Sequence, residues 1–390
     1  MRDRAIARLT TLLLVTLLGA FAASAESPKL YDGVHHRLSA ELRPAYNIIT
    51  HYALRNDGDQ VNKSISLHLR YGFSFNPESR LGELFPTAYQ GIGLATYSYL
   101  HHDITGTPVA LYIFQGARIA NLTERLSLGY EWNLGFSYGW HPNDAMSSRG
   151  NVVINLALPV AYQINNRWEL TLTPDFTHFS NGDTSFPNTS SNLLGVRLGA
   201  TYHFTEEPQQ VSARRFIVAS NELSTKPAKE RISYDIMLYG AWRADRFIDQ
   251  SGIHIINKAL PIAGLQFQPT YHLNDYFGLG ASLDLQYDRS LNITTIIGDS
   301  TDKTETYSYP PLGQQIEAGI SLRGEISAPI FSIGVGLGVN MLNRGYDSSR
   351  IYTSFTLKAH LTRRLMLYIG YRFNQKQYTH NLMYGLGVRL

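Results

Sequence analysis

The sequence predicts an all-β protein, an antiparallel transmembrane β-barrel, on three observations. Aromatic side chains are abundant, with 25 Tyr and 17 Phe in 390 residues. Segments of roughly ten residues alternate apolar with polar or glycine residues and are divided by turn-forming clusters, the pattern of strands with lipid on one face and a filled or watery lumen on the other. Beyond the amino-terminal leader no apolar stretch reaches the length of about 18 residues that a membrane-spanning helix needs. A soluble sandwich or lipocalin-like barrel shares the alternation and is the competing fold.

Residues 1–25 read as a signal peptide. Arg2, Arg4 and Arg8 give the positive start, residues 9–21 the apolar run, and Ala23-Ser24-Ala25 the small-residue cleavage site, which puts the mature start near Glu26. Export is therefore expected, to the outer membrane of a Gram-negative cell. No cysteine occurs, which excludes both a disulfide framework and anchoring through a lipid-modified cysteine. The net charge of +3 is small and its basic residues are scattered, so no nucleic-acid footprint is present.

Eight alternating segments follow, near 35–44, 63–74, 88–100, 107–117, 123–139, 150–163, 167–179 and 191–204. Their connections differ in length: those around Asn121 and Asn165-Asn166 are short, whereas 140–150 and 181–190 are longer and rich in Asn, Asp, Ser, Gly and Pro. Outer-membrane barrels keep short turns in the periplasm and long loops outside, so 181–190 is expected to be extracellular. Residues 26–204 thus form one predicted barrel unit. Residues 205–231 are polar, lack period-two alternation, and read as a linker. Within 232–390 about eight further segments alternate, near 232–245, 259–272, 276–287, 313–325, 328–341, 350–362, 365–374 and 381–390. They form either a second eight-stranded barrel or part of one wider barrel of all sixteen.

The seventh strand carries the chemistry. Leu172, Pro174, Phe176, His178 and Ser180 share one face and Thr171, Thr173, Asp175 and Thr177 the other. The first set is the lipid side, which puts His178 and Ser180 on the outer wall near the outer leaflet. On the eighth strand Asn192 opens the lipid-side row, and Arg197, Thr201 and His203 point into the lumen. A hairpin centred near Ser185 brings His178 opposite or diagonal to Asn192. A serine nucleophile needs a base beside it, and the base needs a group that holds its tautomer. Ser180, His178 and Asn192 suit these roles in that order, whereas Asp175 faces the lumen.

The run His178-Phe179-Ser180-Asn181-Gly182, followed by Pro187-Asn188 and Asn192-Leu193-Leu194-Gly195, resembles the PagL-type lipid A 3-O-deacylase family. Tyr89-Gln90-Gly91-Ile92-Gly93 and Phe114-Gln115-Gly116 are similar to stretches of its longer relatives. The resemblance covers about residues 85–204. It implies an eight-stranded outer-membrane barrel that hydrolyses the ester-linked 3-hydroxyacyl chain of lipid A, with lipopolysaccharide of the outer leaflet as partner and no cofactor. His178 and Ser180 match the family's catalytic pair. Asn181 and Gly182 fall where the family stabilises the oxyanion, and Asn192 stands where its best-known members carry glutamate.

Other features have plainer readings. Adjacent histidines, His35-His36 and His101-His102, point to opposite faces of a strand, and no third metal ligand is evident beside them. Asp299, Asp302 and Glu305 lie in a long Ser- and Thr-rich loop that is read as solvated rather than calcium-binding. Trp132, Trp140 and Trp168 are expected in interfacial girdles. In the second half no His-x-Ser recurs. Two functions remain in competition: a lipid A esterase, and a non-enzymatic barrel serving as channel or scaffold.

Overall fold

The computed structural model describes residues 33–48, 55–56, 59–143, 146–206, 231–249, 252–296, 306–342, 344, 349–374 and 380–390. The predicted signal peptide, nearly all of the predicted linker, and Asp299, Asp302 and Glu305 lie outside the described residues.

Among the described residues period-two alternation becomes sixteen long strands. The first eight are β1 (Val34–Asn47), β2 (Lys63–Phe75), β3 (Ala88–Ser98), β4 (Gly106–Asn121), β5 (Leu126–Trp140), β6 in two pieces (Gly150–Ala157 and Val160–Gln163), β7 (Trp168–Ser180) and β8 (Ser191–His203). Each pairs antiparallel with the next, and β8 also pairs with β1, Leu42 facing Leu198, so the ring closes. The remaining eight are β9 (Ile232–Asp249), β10 (Gly252–His272), β11 (Phe277–Asp288), β12 (Ile316–Ser327), β13 (Phe331–Leu342), β14 (Ile351–His360), β15 (Leu365–Asn374) and β16 (Asn381–Arg389), a second closed barrel. The wide sixteen-stranded alternative is thereby resolved. Once β8 bonds to β1, the first ring has no free edge to receive β9.

Local departures from the sequence expectation have local causes. Pro159 has no N–H to give the ladder and splits β6, although its carbonyl still accepts from Gly129 N at 2.8 Å. One helical turn, Arg80–Leu84, sits in the β2–β3 connection, and Ser79 Oγ caps it by accepting from Gly82 N at 3.1 Å. β10 starts at Gly252 rather than near 259, because 252–256 also pairs with β9, ahead of a register shift.

Both lumens are filled by charge pairs. In the first barrel Arg197 reaches Glu41 at 3.1 Å, Glu131 at 2.9 Å and Asp175 at 3.2 Å, while Arg70 bridges Glu41 and Glu131 and Arg43 pairs with Asp175. In the second, Lys358 joins Asp235 at 2.8 Å to Glu325 at 2.7 Å, and Arg372 meets Glu317 at 3.2 Å. Charges removed from water persist only when paired and hydrogen-bonded in this way. The outer wall carries the opposite chemistry, with Leu67, Leu156, Leu172, Leu198, Leu238 and Leu322 exposed, as a lipid-facing band requires.

The barrels touch along one side. Tyr276 OH donates to Leu84 O at 2.7 Å and its ring meets Phe85 edge-on, with centroids 5.3 Å apart. At the same end of the second barrel Phe331 meets Trp132; both lie on outward-facing rows, pack edge to face at 5.1 Å and are buried. Two of the three expected girdle tryptophans are thus placed differently. Trp132 lies between the barrels, its Nε1 donating to Gln115 Oε1 at 2.7 Å, and Trp140 packs inside against Tyr99 and Phe179. Trp168 is exposed and lies against Tyr202 with ring centroids 5.1 Å apart, where a girdle residue belongs.

Candidate functional site

The β7–β8 hairpin has the register that brings the predicted residues together, with His178 directly opposite Asn192. Inward-facing Asp175, Thr177 and Phe179 alternate with the half-buried outward residues Phe176, His178 and Ser180. Asp175 is engaged by Arg43 and Arg197 and takes no part on the outer face. Phe179 is fully buried between Tyr97 and Trp140, each with ring centroids 5.1 Å away, and it fixes the strand between the two outward polar residues.

His178 Nδ1 lies 2.7 Å from Asn192 Oδ1. An amide oxygen only accepts, so Nδ1 carries a proton, and in the neutral tautomer this selects the lone pair falls on Nε2. Asn192 is held in turn: its backbone N donates to Asn47 Oδ1 at 3.2 Å.

Ser180 Oγ accepts two hydrogen bonds, from Gly182 N at 3.0 Å and from Asn188 Nδ2 at 3.1 Å. Its own O–H is left to donate. Among the described residues no hydrogen bond joins His178 to Ser180, whose Cα atoms are two residues apart on one face. Asn181 behaves differently from Gly182. Its side-chain amide donates to Ser185 O at 2.8 Å and ties the loop, while its backbone N reaches Asn188 Oδ1 at 3.4 Å.

The loop after β7 turns through two consecutive left-handed residues, Gly182 with φ 65° and Asp183 with φ 62°. At a non-glycine position that conformation costs about 1–2 kcal/mol, least for the short polar residues that bond locally. Asp183 is such a residue: its Oδ1 accepts from Asn188 Nδ2 at 2.9 Å. The loop is further pinned to the β5–β6 connection, where Ser147 N donates to Pro187 O at 3.0 Å and Met146 bridges Asn188.

The second barrel approaches this loop. Ala244 N donates to Asp183 O at 2.8 Å, and Leu382 lies so near Gly182 that a Cβ there would stand 3.0 Å from Leu382 Cδ2. His380, just before β16, rests against Phe373 with ring centroids 5.5 Å apart, and partial burial holds its imidazole below the ordinary histidine range.

Asn188 is the site residue that strand periodicity misses. It sits in a loop with no period to read, and its one trace in the sequence is the Pro187-Asn188 pair. Among the described residues no three histidine, aspartate or glutamate side chains converge as metal ligands would.

A model of the family described as lipid A 3-O-deacylase (PagL) matches residues 49–201, and one described as acyloxyacyl hydrolase, C-terminal domain, matches residues 232–390. No protein of curated function matches. Among solved structures, Neisserial surface protein A is similar over 44% of this chain and 98% of its own, with 12% identity and a TM-score of 0.30. The Pseudomonas putida toluene transporter TodX is similar over 94% and 92%, with 10% identity and a TM-score of 0.19.

Proposed function

The chain belongs to the PagL family of lipid A 3-O-deacylases, and from that premise we propose that it is an outer-membrane serine esterase whose chemistry is carried by His178, Ser180 and Asn192. The substrate is the ester-linked 3-hydroxyacyl chain of lipid A in the outer leaflet. The observation that carries this reading is the His178–Asn192 hydrogen bond of 2.7 Å, made on the outward face of the hairpin that also presents Ser180.

In this mechanism Ser180 Oγ attacks the ester carbonyl carbon while its proton passes to His178 Nε2. Asn192 Oδ1 keeps Nδ1 protonated and steadies the imidazolium that forms, more weakly than a carboxylate would. Collapse of the tetrahedral intermediate breaks the bond to the sugar oxygen, which takes the proton from His178. Water, activated by the same imidazole, then cleaves the acyl-serine. Gly182 N–H and Asn188 Nδ2 donate to Ser180 Oγ, so two donors stand beside the nucleophile, within reach of the carbonyl oxygen that takes up the negative charge once Oγ has attacked. His178 and Ser180 stand two residues apart on one face, and catalytic hydrogen bonds often tighten only as substrate binds.

Position supports the same reading. The polar cluster lies at the extracellular end of the outer wall, beside exposed Leu172, Leu194 and Leu198, so acyl chains lie along the wall while the ester sits at the polar rim. Purified protein incubated with lipopolysaccharide is expected to remove one 3-hydroxyacyl chain from lipid A, read by mass spectrometry. An unchanged lipid A mass with folded protein would refute the assignment.

A further inference from the structure

We infer that the second barrel is a positioning element for the first barrel's site, holding the loop that aims two donors at Ser180 Oγ. This rests on the esterase reading. Three independent features lead to it.

The first is an opening in the second barrel's rim. β16 pairs with β9 from Asp235↔Arg389 to Gly240↔Tyr384 and no further, so above Gly240 the two strands part. The second is an irregularity at that height. The β9–β10 register jumps between Arg243↔Leu260 and Asp245↔Ile256, and the intervening Ala244 turns its N–H out of the ladder to Asp183 O at 2.8 Å. Bulges beside functional sites commonly re-aim a group in this way. The third is Leu382, on the outward row of β16 yet buried, packed against Gly182.

From there the path to the nucleophile is short. Asp183 Oδ1 accepts from Asn188 Nδ2, and the same nitrogen donates to Ser180 Oγ. Gly182, against which Leu382 packs, supplies the other donor. The second barrel thus grips the two left-handed residues whose conformation sets both hydrogen bonds. A loop of this composition standing free in water would sample other conformations, and donors displaced by even an ångström lose much of their effect.

The test uses the full chain in lipid vesicles, with Leu382→Arg and Ala244→Pro on the second barrel and Asp183→Ala and Asp183→Asn on the loop. Heat-modifiable gel mobility reports folding. If Leu382→Arg does not fold, Leu382→Ala replaces it. Amide hydrogen exchange across 181–190 should accelerate in both second-barrel variants. Their kcat should fall by roughly ten- to a hundredfold with KM within about twofold of wild type, the split that marks an interaction made only in the transition state. Asp183→Asn keeps the acceptor oxygen and should retain at least about tenfold more kcat than Asp183→Ala. Folded second-barrel variants that exchange and turn over like wild type would overturn the inference, as would equal loss in the two Asp183 variants. Should wild type hydrolyse nothing while the second-barrel variants still release loop exchange, the esterase reading fails and the docking alone is supported.

Discussion

Asn192 holds His178 through a single hydrogen bond of 2.7 Å, so its removal can be predicted separately from that of the pair it serves. Asn192→Leu leaves the imidazole free to rotate and to take either tautomer, and should lower kcat by about 10²- to 10⁴-fold, the range of a general base put out of action. Asn192→Glu, which supplies a charged acceptor at the same place, should maintain or raise kcat, as steady-state hydrolysis would report. Asn188→Ala removes one of the two donors beside Ser180 Oγ and, where that donor turns to the charged carbonyl oxygen of the intermediate, should cost about 10²- to 10³-fold in kcat. His178, Ser180 and Asn192 were legible in the sequence because a strand's side-chain period of two assigns every residue a face, and polar residues on a greasy face stand out. Asn188 obeys no such period, and only the folded loop reveals what its amide touches.

At the scale of the element, the β7–β8 hairpin is rigid where it has to be. Phe179 is fully buried between Tyr97 and Trp140 and separates the two outward polar residues. Phe179→Ala should destabilise the first barrel by about 3–5 kcal/mol, measurable by urea unfolding in detergent, and should lower hydrolysis by loosening both His178 and Ser180. Apart from the early start of β10, strand positions were readable to within a few residues, since the alternation follows from lipid on one side and paired charges on the other. The break at Pro159 was readable in principle from a missing N–H. The burial of Trp132 was not, because an outward tryptophan facing lipid and one facing a second barrel occupy the same place in the pattern; nor was that of Trp140, which shares the outward parity but packs inside after Gly139, whose φ of 103° interrupts the alternation.

At the scale of the whole molecule, two closed rings stand where the sequence allowed either two barrels or one wide one, and their lumens decide what they can pass. Arg197, Arg70, Glu41, Glu131 and Asp175 knit across the first, and Lys358, Asp235 and Glu325 across the second. Ohmic conductance in planar bilayers should therefore be absent, and discrete channel openings would restore the pore reading. Glu131→Leu takes one of two carboxylates from Arg70 and one of three from Arg197, and should cost about 3–5 kcal/mol of stability, the toll of breaking a buried pair, visible as a lowered unfolding midpoint. The central claim is narrower than either prediction: chemistry occurs on the outer wall, at Ser180. Wild type and Ser180→Ala, equally folded and incubated side by side with lipopolysaccharide, test it most directly by the mass of recovered lipid A. Loss of one 3-hydroxyacyl chain with wild type and none with Ser180→Ala is expected; equal loss with both would contradict the claim.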